Sequence, residues 1–237
     1  MPTTRRDFLA ASVAVLAAHT ELSHDARPTT SVLLFQGDSI TDAGRNRSST
    51  AANSAGALGS GYPMLLAATL RDRQPERDLQ IFNRGISGNT VDDLTSRWDT
   101  DTINLKPATV SILIGVNDIW HTLTGSYDGT PEKYEAGYHA LLERTRAAVP
   151  GVKLVVMEPF VLRTGAVDDK WFPAFGRYLD AARRVAGASG ATFVELHEMF
   201  QKLAGNSSPG YWAADGVHPT LAGHAAIARQ WLHKVKL

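Results

Sequence analysis

Short, uninterrupted apolar runs alternate with amphipathic stretches along most of the chain. Ser31-Val32-Leu33-Leu34-Phe35 is apolar after its first residue, the signature of a strand buried on both faces of a parallel sheet. Residues 79–82, 110–114, 152–157 and 192–195 give four more such strands. Between them the apolar positions fall at helical spacing. In residues 134–149, Tyr138, Leu141, Leu142, Thr145 and Val149 lie on one stripe, and residues 178–186 and 222–235 repeat the pattern. Strands alternating with helices predict a parallel sheet covered on both sides and connected by right-handed crossovers. The expected fold class is α/β: a three-layer α/β/α sandwich on a five-stranded parallel sheet.

Composition narrows this only a little. A chain of 237 residues with 43% hydrophobic and 20% charged residues suits one globular domain. The formal net charge is zero and no basic block stands out, which argues against a nucleic-acid partner. No cysteine is present, so disulfides, thiolate metal sites and a cysteine-linked lipid anchor are excluded. The first 26 residues differ from the rest. Thr4-Arg5-Arg6-Asp7-Phe8-Leu9 places paired arginines before an apolar stretch too short to span a bilayer. This order resembles a twin-arginine export signal, so residues 1–26 are read as a leader and 27–237 as the folded domain. The expectation is an exported protein, periplasmic or extracellular, without a membrane span in its mature form.

The segments that follow strands share one edge of a parallel sheet, where α/β proteins bind ligands. Residues 42–61, 120–131 and 159–172 are such segments, and 205–212 precedes the last helix. Four short motifs fall on that edge. Gly37-Asp38-Ser39-Ile40-Thr41 puts a serine where a strand ends and free N–H groups begin, although Gly-Asp-Ser is also ordinary turn chemistry. Asn83-Arg84-Gly85-Ile86-Ser87-Gly88-Asn89 follows the second strand. Gly85, without a Cβ, can bring its N–H close to a ligand oxygen or can simply turn the chain. Gly115-Val116-Asn117-Asp118 follows the third; Asn117 can donate to an oxyanion or cap a helix. In Asp215-Gly216-Val217-His218-Pro219 the three-residue spacing lets one turn bring the carboxylate to the imidazole. The pair can orient a base, cap the last helix or, less suitably with only two ligands, bind a metal.

Together and in this order, the four motifs resemble the SGNH hydrolases, also called the GDSL esterase family. The resemblance spans roughly residues 31–235. It implies a flavodoxin-like fold, a nucleophile at Ser39, a base at His218 oriented by Asp215, and an oxyanion hole built from Ser39, Gly85 and Asn117. It implies no metal and no cofactor. Gly56-Ala57-Leu58-Gly59-Ser60-Gly61-Tyr62, Arg97-Trp98 and Ile114-Gly115-Val116-Asn117-Asp118-Ile119-Trp120 look further like the bacterial GDSL acetylxylan esterases. That likeness points to an esterase removing acetyl groups from a small-molecule or polysaccharide ester, acetylated xylan first. Asp38, Trp98, Trp120 and Trp212 are then the candidate substrate contacts. A small Ala214 beside Asp215 departs from the pattern. The rival readings are a lysophospholipase or thioesterase of the same fold acting on longer acyl esters, and a carbohydrate-binding protein without catalysis. A homo-oligomer is compatible with all three.

Overall fold

This computed structural model describes residues 30–237, so the leader assigned to residues 1–26 lies outside the described residues. Five strands form one sheet: β1 (Ser31–Gly37), β2 (Leu79–Asn83), β3 (Thr109–Leu113), β4 (Lys153–Met157) and β5 (Thr192–Val194). Their order is β2-β1-β3-β4-β5 and every neighbouring pair is parallel. The sequence expectation of a flavodoxin-like three-layer sandwich holds. Strand ends move by a residue or two. β1 runs on to Gly37 because Gln36 and Gly37 pair with Ile112 and Leu113. β3 ends at Leu113, before Gly115 turns the chain at φ 127°.

Ten helices accompany the sheet among the described residues: α1 (Ser39–Asp42), α2 (Ala55–Leu58), α3 (Tyr62–Arg73), α4 (Val91–Asp101), α5 (Val116–Leu123), α6 (Pro131–Ala148), α7 (Ala174–Ala188), α8 (His197–Gly205), α9 (Pro209–Trp212) and α10 (Leu221–Lys234). α3 packs with α10, while α4 packs with α6 and α6 with α7, which makes the two outer layers. Leu33, Leu34 and Phe35 are at most 1% exposed, so β1 is covered on both faces, as its unbroken apolar run requires. α4 begins with a capping box: Thr90 accepts from the Asp93 N–H, and the Asp93 carboxylate accepts from the Thr90 N–H. The segment 120–131 begins as helix, since α5 runs to Leu123, and becomes irregular only after it.

Two buried indoles tie the layers together. Trp231 Nε1 on α10 donates to Ser111 Oγ on β3 at 3.0 Å. Trp98 Nε1 on α4 donates to Thr145 Oγ1 on α6 at 2.9 Å. Trp98 is wholly buried. It is a core residue with no face free for a sugar, which corrects its assignment as a substrate contact. The order β2-β1-β3 makes the chain leave β1 to one side and return on the other. The carboxyl ends of β1 and β3 therefore bound the switch point where doubly wound sheets hold ligands.

Candidate active site

Ser39 opens α1 directly after β1. Gly37, at φ 153°, permits the turn; a Cβ there would lie 2.2 Å from the Leu113 carbonyl oxygen. Asp38 holds the next step, its Oδ1 accepting from the Ile40 N–H at 3.0 Å. The Asp38 carboxyl is 1% exposed, and burial pushes its pKa up to about 7. Its place is beneath the nucleophile turn, so the structure does not support the expected substrate contact at Asp38.

The motif before α10 reaches Ser39 from the far end of the chain. Ser39 Oγ and His218 Nε2 are 2.8 Å apart, and His218 Nδ1 lies 2.6 Å from Asp215 Oδ2. A carboxylate can only accept here, so Nδ1 carries the proton and Nε2 faces the serine hydroxyl as an acceptor. The other carboxylate oxygen, Asp215 Oδ1, accepts from the N–H groups of Val217 and His218 at 2.9 and 2.7 Å. Partial burial pushes the Asp215 carboxyl up; the bonds from His218 and Val217 outweigh it and hold the group below the usual carboxylate range. The turn is braced by the segment after β4. The Leu162 N–H donates to the Gly216 oxygen at 2.8 Å, and the Ala166 N–H to the Asp215 oxygen at 2.9 Å. Gly216, at φ 86°, sits so close that a Cβ would meet the Leu162 oxygen at 2.4 Å.

Three N–H donors face the same space. The Ser39 N–H has no acceptor among the described residues. Asn117 is in the first turn of α5, and its Nδ2 donates one hydrogen to the Asn89 oxygen at 3.1 Å, which leaves the second free. The third donor is not the one expected. The Gly85 N–H is buried and already donates to Asn83 Oδ1 at 2.9 Å, while its carbonyl accepts from Arg45 Nε at 2.7 Å. A Cβ on Gly85 would lie 2.5 Å from the Asp42 nitrogen, so this glycine serves close packing against α1. Gly88 corrects the assignment. It sits at φ 87° in an exposed turn closed by the Asn89 N–H on the Ile86 oxygen at 3.2 Å, and its own N–H is unpartnered among the described residues. Positive φ at the third position of such a turn calls for glycine.

Ser39, Gly88, Asn117 and His218 line one cavity of about 380 Å³. The remaining wall is a single face of α5 and its end: Asn117, Trp120, His121 and Thr124 follow at helical spacing. Trp120 lies 6.1 Å from the His218 ring, centre to centre, and is backed by buried Trp171 at 5.5 Å. Of the three tryptophans expected as substrate contacts, Trp120 alone is on this wall. Trp212 does not line the cavity; its Nε1 donates to Ser207 Oγ at 2.7 Å, and its carbonyl accepts from the Thr220 N–H at 2.9 Å. His121 lines the cavity as well. A roomier cavity of about 740 Å³ lies between α6 and α7, but its lining around Glu135 and Arg184 contains no serine or threonine hydroxyl. No group of three or more His, Cys, Asp or Glu side chains able to hold a metal ion occurs among the described residues.

A serine at the switch point of a doubly wound parallel sheet, with a carboxylate-backed imidazole on its Oγ, defines the class: an α/β serine hydrolase. The comparisons agree. The model of the GDSL-like lipase/acylhydrolase family matches residues 35–226, and the chain belongs to that family. An acetylxylan esterase of Geobacillus stearothermophilus is 36% identical over 207 residues, covering 86% of this chain and 93% of the relative. A crystal structure of a GDSL-like lipase from Parabacteroides merdae superposes with a TM-score of 0.85 at 42% identity, over 87% of this chain and 95% of the other. A variant of a Geobacillus acetyl-xylooligosaccharide esterase superposes at 0.80 with 34% identity, over 89% of this chain and 96% of the other. The protein is a carboxylic ester hydrolase.

Proposed function

We propose that this protein is a serine esterase that removes acetyl groups from xylan or xylo-oligosaccharides through an acyl-enzyme on Ser39. The observation that carries the chemistry is the unbroken chain from Ser39 Oγ through His218 to Asp215, at 2.8 and 2.6 Å, opening on three N–H donors that each keep a hydrogen without an acceptor among the described residues. His218 Nε2 takes the serine proton as Oγ attacks the ester carbonyl. The N–H groups of Ser39 and Gly88 and the amide of Asn117 hold the developing oxyanion. His218 then returns the proton to the departing sugar oxygen. Water then attacks the acyl carbonyl as His218 takes its proton, and acetate leaves as His218 gives that proton to Ser39 Oγ, which restores the free serine. No step draws on a cofactor.

The acetyl assignment rests on two supports. The Geobacillus relatives act on acetylated xylan or its oligosaccharides, as their names state. The Trp120–Trp171 pair also stands as a wall beside His218, and the remaining rim, Ser87, His121 and Thr124, carries none of the long aliphatic side chains that would line an acyl channel. The basic-then-apolar order around Arg5 and Arg6 supports export by the twin-arginine route, which suits an enzyme whose substrate is a polymer. Acetate release from acetylated xylan, pectin and chitin, alongside p-nitrophenyl acetate and octanoate, tests the proposal. Acetylated xylan and p-nitrophenyl acetate are expected to be the best polymer and aryl substrates. Faster turnover of octanoate than of acetate would instead favour the lipase-like reading.

A further inference from the structure

Asp42 and Ser87 belong to neither the triad nor the oxyanion hole, yet they meet beside the catalytic cavity. Asp42 closes α1, one helical turn after Ser39, and its side chain is only 3% exposed. Its Oδ2 accepts from the Ser87 N–H at 3.0 Å and the Ser87 hydroxyl at 2.9 Å. The same oxygen takes the guanidinium of Arg47, with Nε at 3.1 Å, and Oδ1 accepts from the Arg45 N–H at 3.2 Å. Burial pushes the Asp42 carboxyl up, but Arg47 and Ser87 outweigh that and hold it below the usual carboxylate range.

We infer that Asp42 is a positioning residue for the oxyanion hole: it fixes the Ser87–Gly88 peptide so that the Gly88 N–H points at the place where charge develops. This rests on the serine-esterase reading above. Ser87 and Gly88 are themselves exposed, and the turn that carries them is otherwise held through its shoulders, by Ile86 N–H on the Gly37 oxygen and Asn89 N–H on the Ile86 oxygen. Among the described residues Asp42 is the only partner of the Ser87 N–H and hydroxyl. The nucleophile and this anchor occupy the two ends of one four-residue helix. A single turn of backbone therefore sets the distance between Ser39 Oγ and its third donor. Displacing a reacting group by about 1 Å can cost about a hundredfold in rate, so the anchor matters although it touches no substrate.

An asparagine at position 42 keeps the size, but its NH₂ must face either the Arg45 N–H or the Ser87 N–H and the Arg47 guanidinium, none of which can accept. Asp42→Asn is expected to lower kcat on p-nitrophenyl acetate about 10- to 100-fold with KM within about twofold, since the loss falls on the transition state. Ser87→Ala, which removes one of two bonds at an exposed position, is expected to lower it about threefold to tenfold. The discriminating readout is affinity for phenylboronic acid, whose tetrahedral adduct with Ser39 places an oxygen in the hole. It should weaken in parallel with kcat/KM. Wild-type kcat and boronate affinity in folded Asp42→Asn, or in Ser87→Ala should the first variant not fold, would overturn the inference. So would an unchanged boronate affinity at lowered kcat. If Ser39→Ala in the same series retained turnover, the esterase reading itself would fail, and the two failures are thereby distinct.

Discussion

Ser39→Ala is expected to turn over acetyl esters about 10⁵- to 10⁶-fold more slowly than the unmodified protein, with its fold intact. The hydroxyl is the atom that forms the acyl-enzyme, and among the described residues its one hydrogen-bond partner is His218 Nε2 at 2.8 Å. Nothing in the fold hangs on it: β1, the Gly37 turn and the Asp38 cap are made by other groups. Truncation of a half-exposed hydroxyl costs about 1 kcal/mol of stability or less. The residual rate comes from water attacking a carbonyl still polarised by the hole. Kinetics on p-nitrophenyl acetate with the thermal midpoint measured alongside check this. A variant that keeps its midpoint and loses turnover is the expected outcome.

Asp215→Asn gives the second large effect, a fall in kcat of about 10²- to 10⁴-fold with little change in KM. The backbone turn should survive, because an amide oxygen can still accept from the Val217 and His218 N–H groups now bound at 2.9 and 2.7 Å. The damage is to the tautomer. An Asn NH₂ placed 2.6 Å from His218 Nδ1 makes that nitrogen an acceptor and moves the ring proton to Nε2, facing Ser39. A protonated Nε2 cannot take the serine proton. The carboxylate also stabilises the imidazolium formed in each half-reaction, and its loss removes that. Partial exposure, about 40% of the side chain, places the effect below that of a fully buried aspartate. Combining Asp215→Asn with Ser39→Ala is expected to add almost nothing to Ser39→Ala alone, since the two act as one unit.

The strands were readable because strands buried on both faces carry unbroken apolar runs, and β1 and β4 show this plainly. Ser39, Asn117, Asp215 and His218 were readable as well: each sits at a strand end or in a short turn where local spacing determines geometry. Gly85 misled because an N–H direction is not a local property of the word Asn-x-Gly. Asn83 turns its amide oxygen onto the nitrogen two residues ahead and uses that donor up. Gly88 becomes the free donor because its turn projects from the sheet just before α4. The two tryptophans divide for a reason that was in the sequence. Val91, Leu94 and Trp98 share one stripe of α4, the buried one, whereas Trp120 shares a face of α5 with Asn117. The Asp42–Ser87 contact joins residues 45 apart and had no local signal.

The claim on which all else rests is that Ser39 is the covalent nucleophile. Reaction with a fluorophosphonate, followed by mass spectrometry of the digested protein, tests it directly. One phosphonyl adduct is expected, on the peptide containing Ser39, strongly slowed in Asp215→Asn and absent in Ser39→Ala. An adduct on another residue, such as exposed Ser87 in the same cavity, or none on a protein that still hydrolyses acetyl esters, would contradict it.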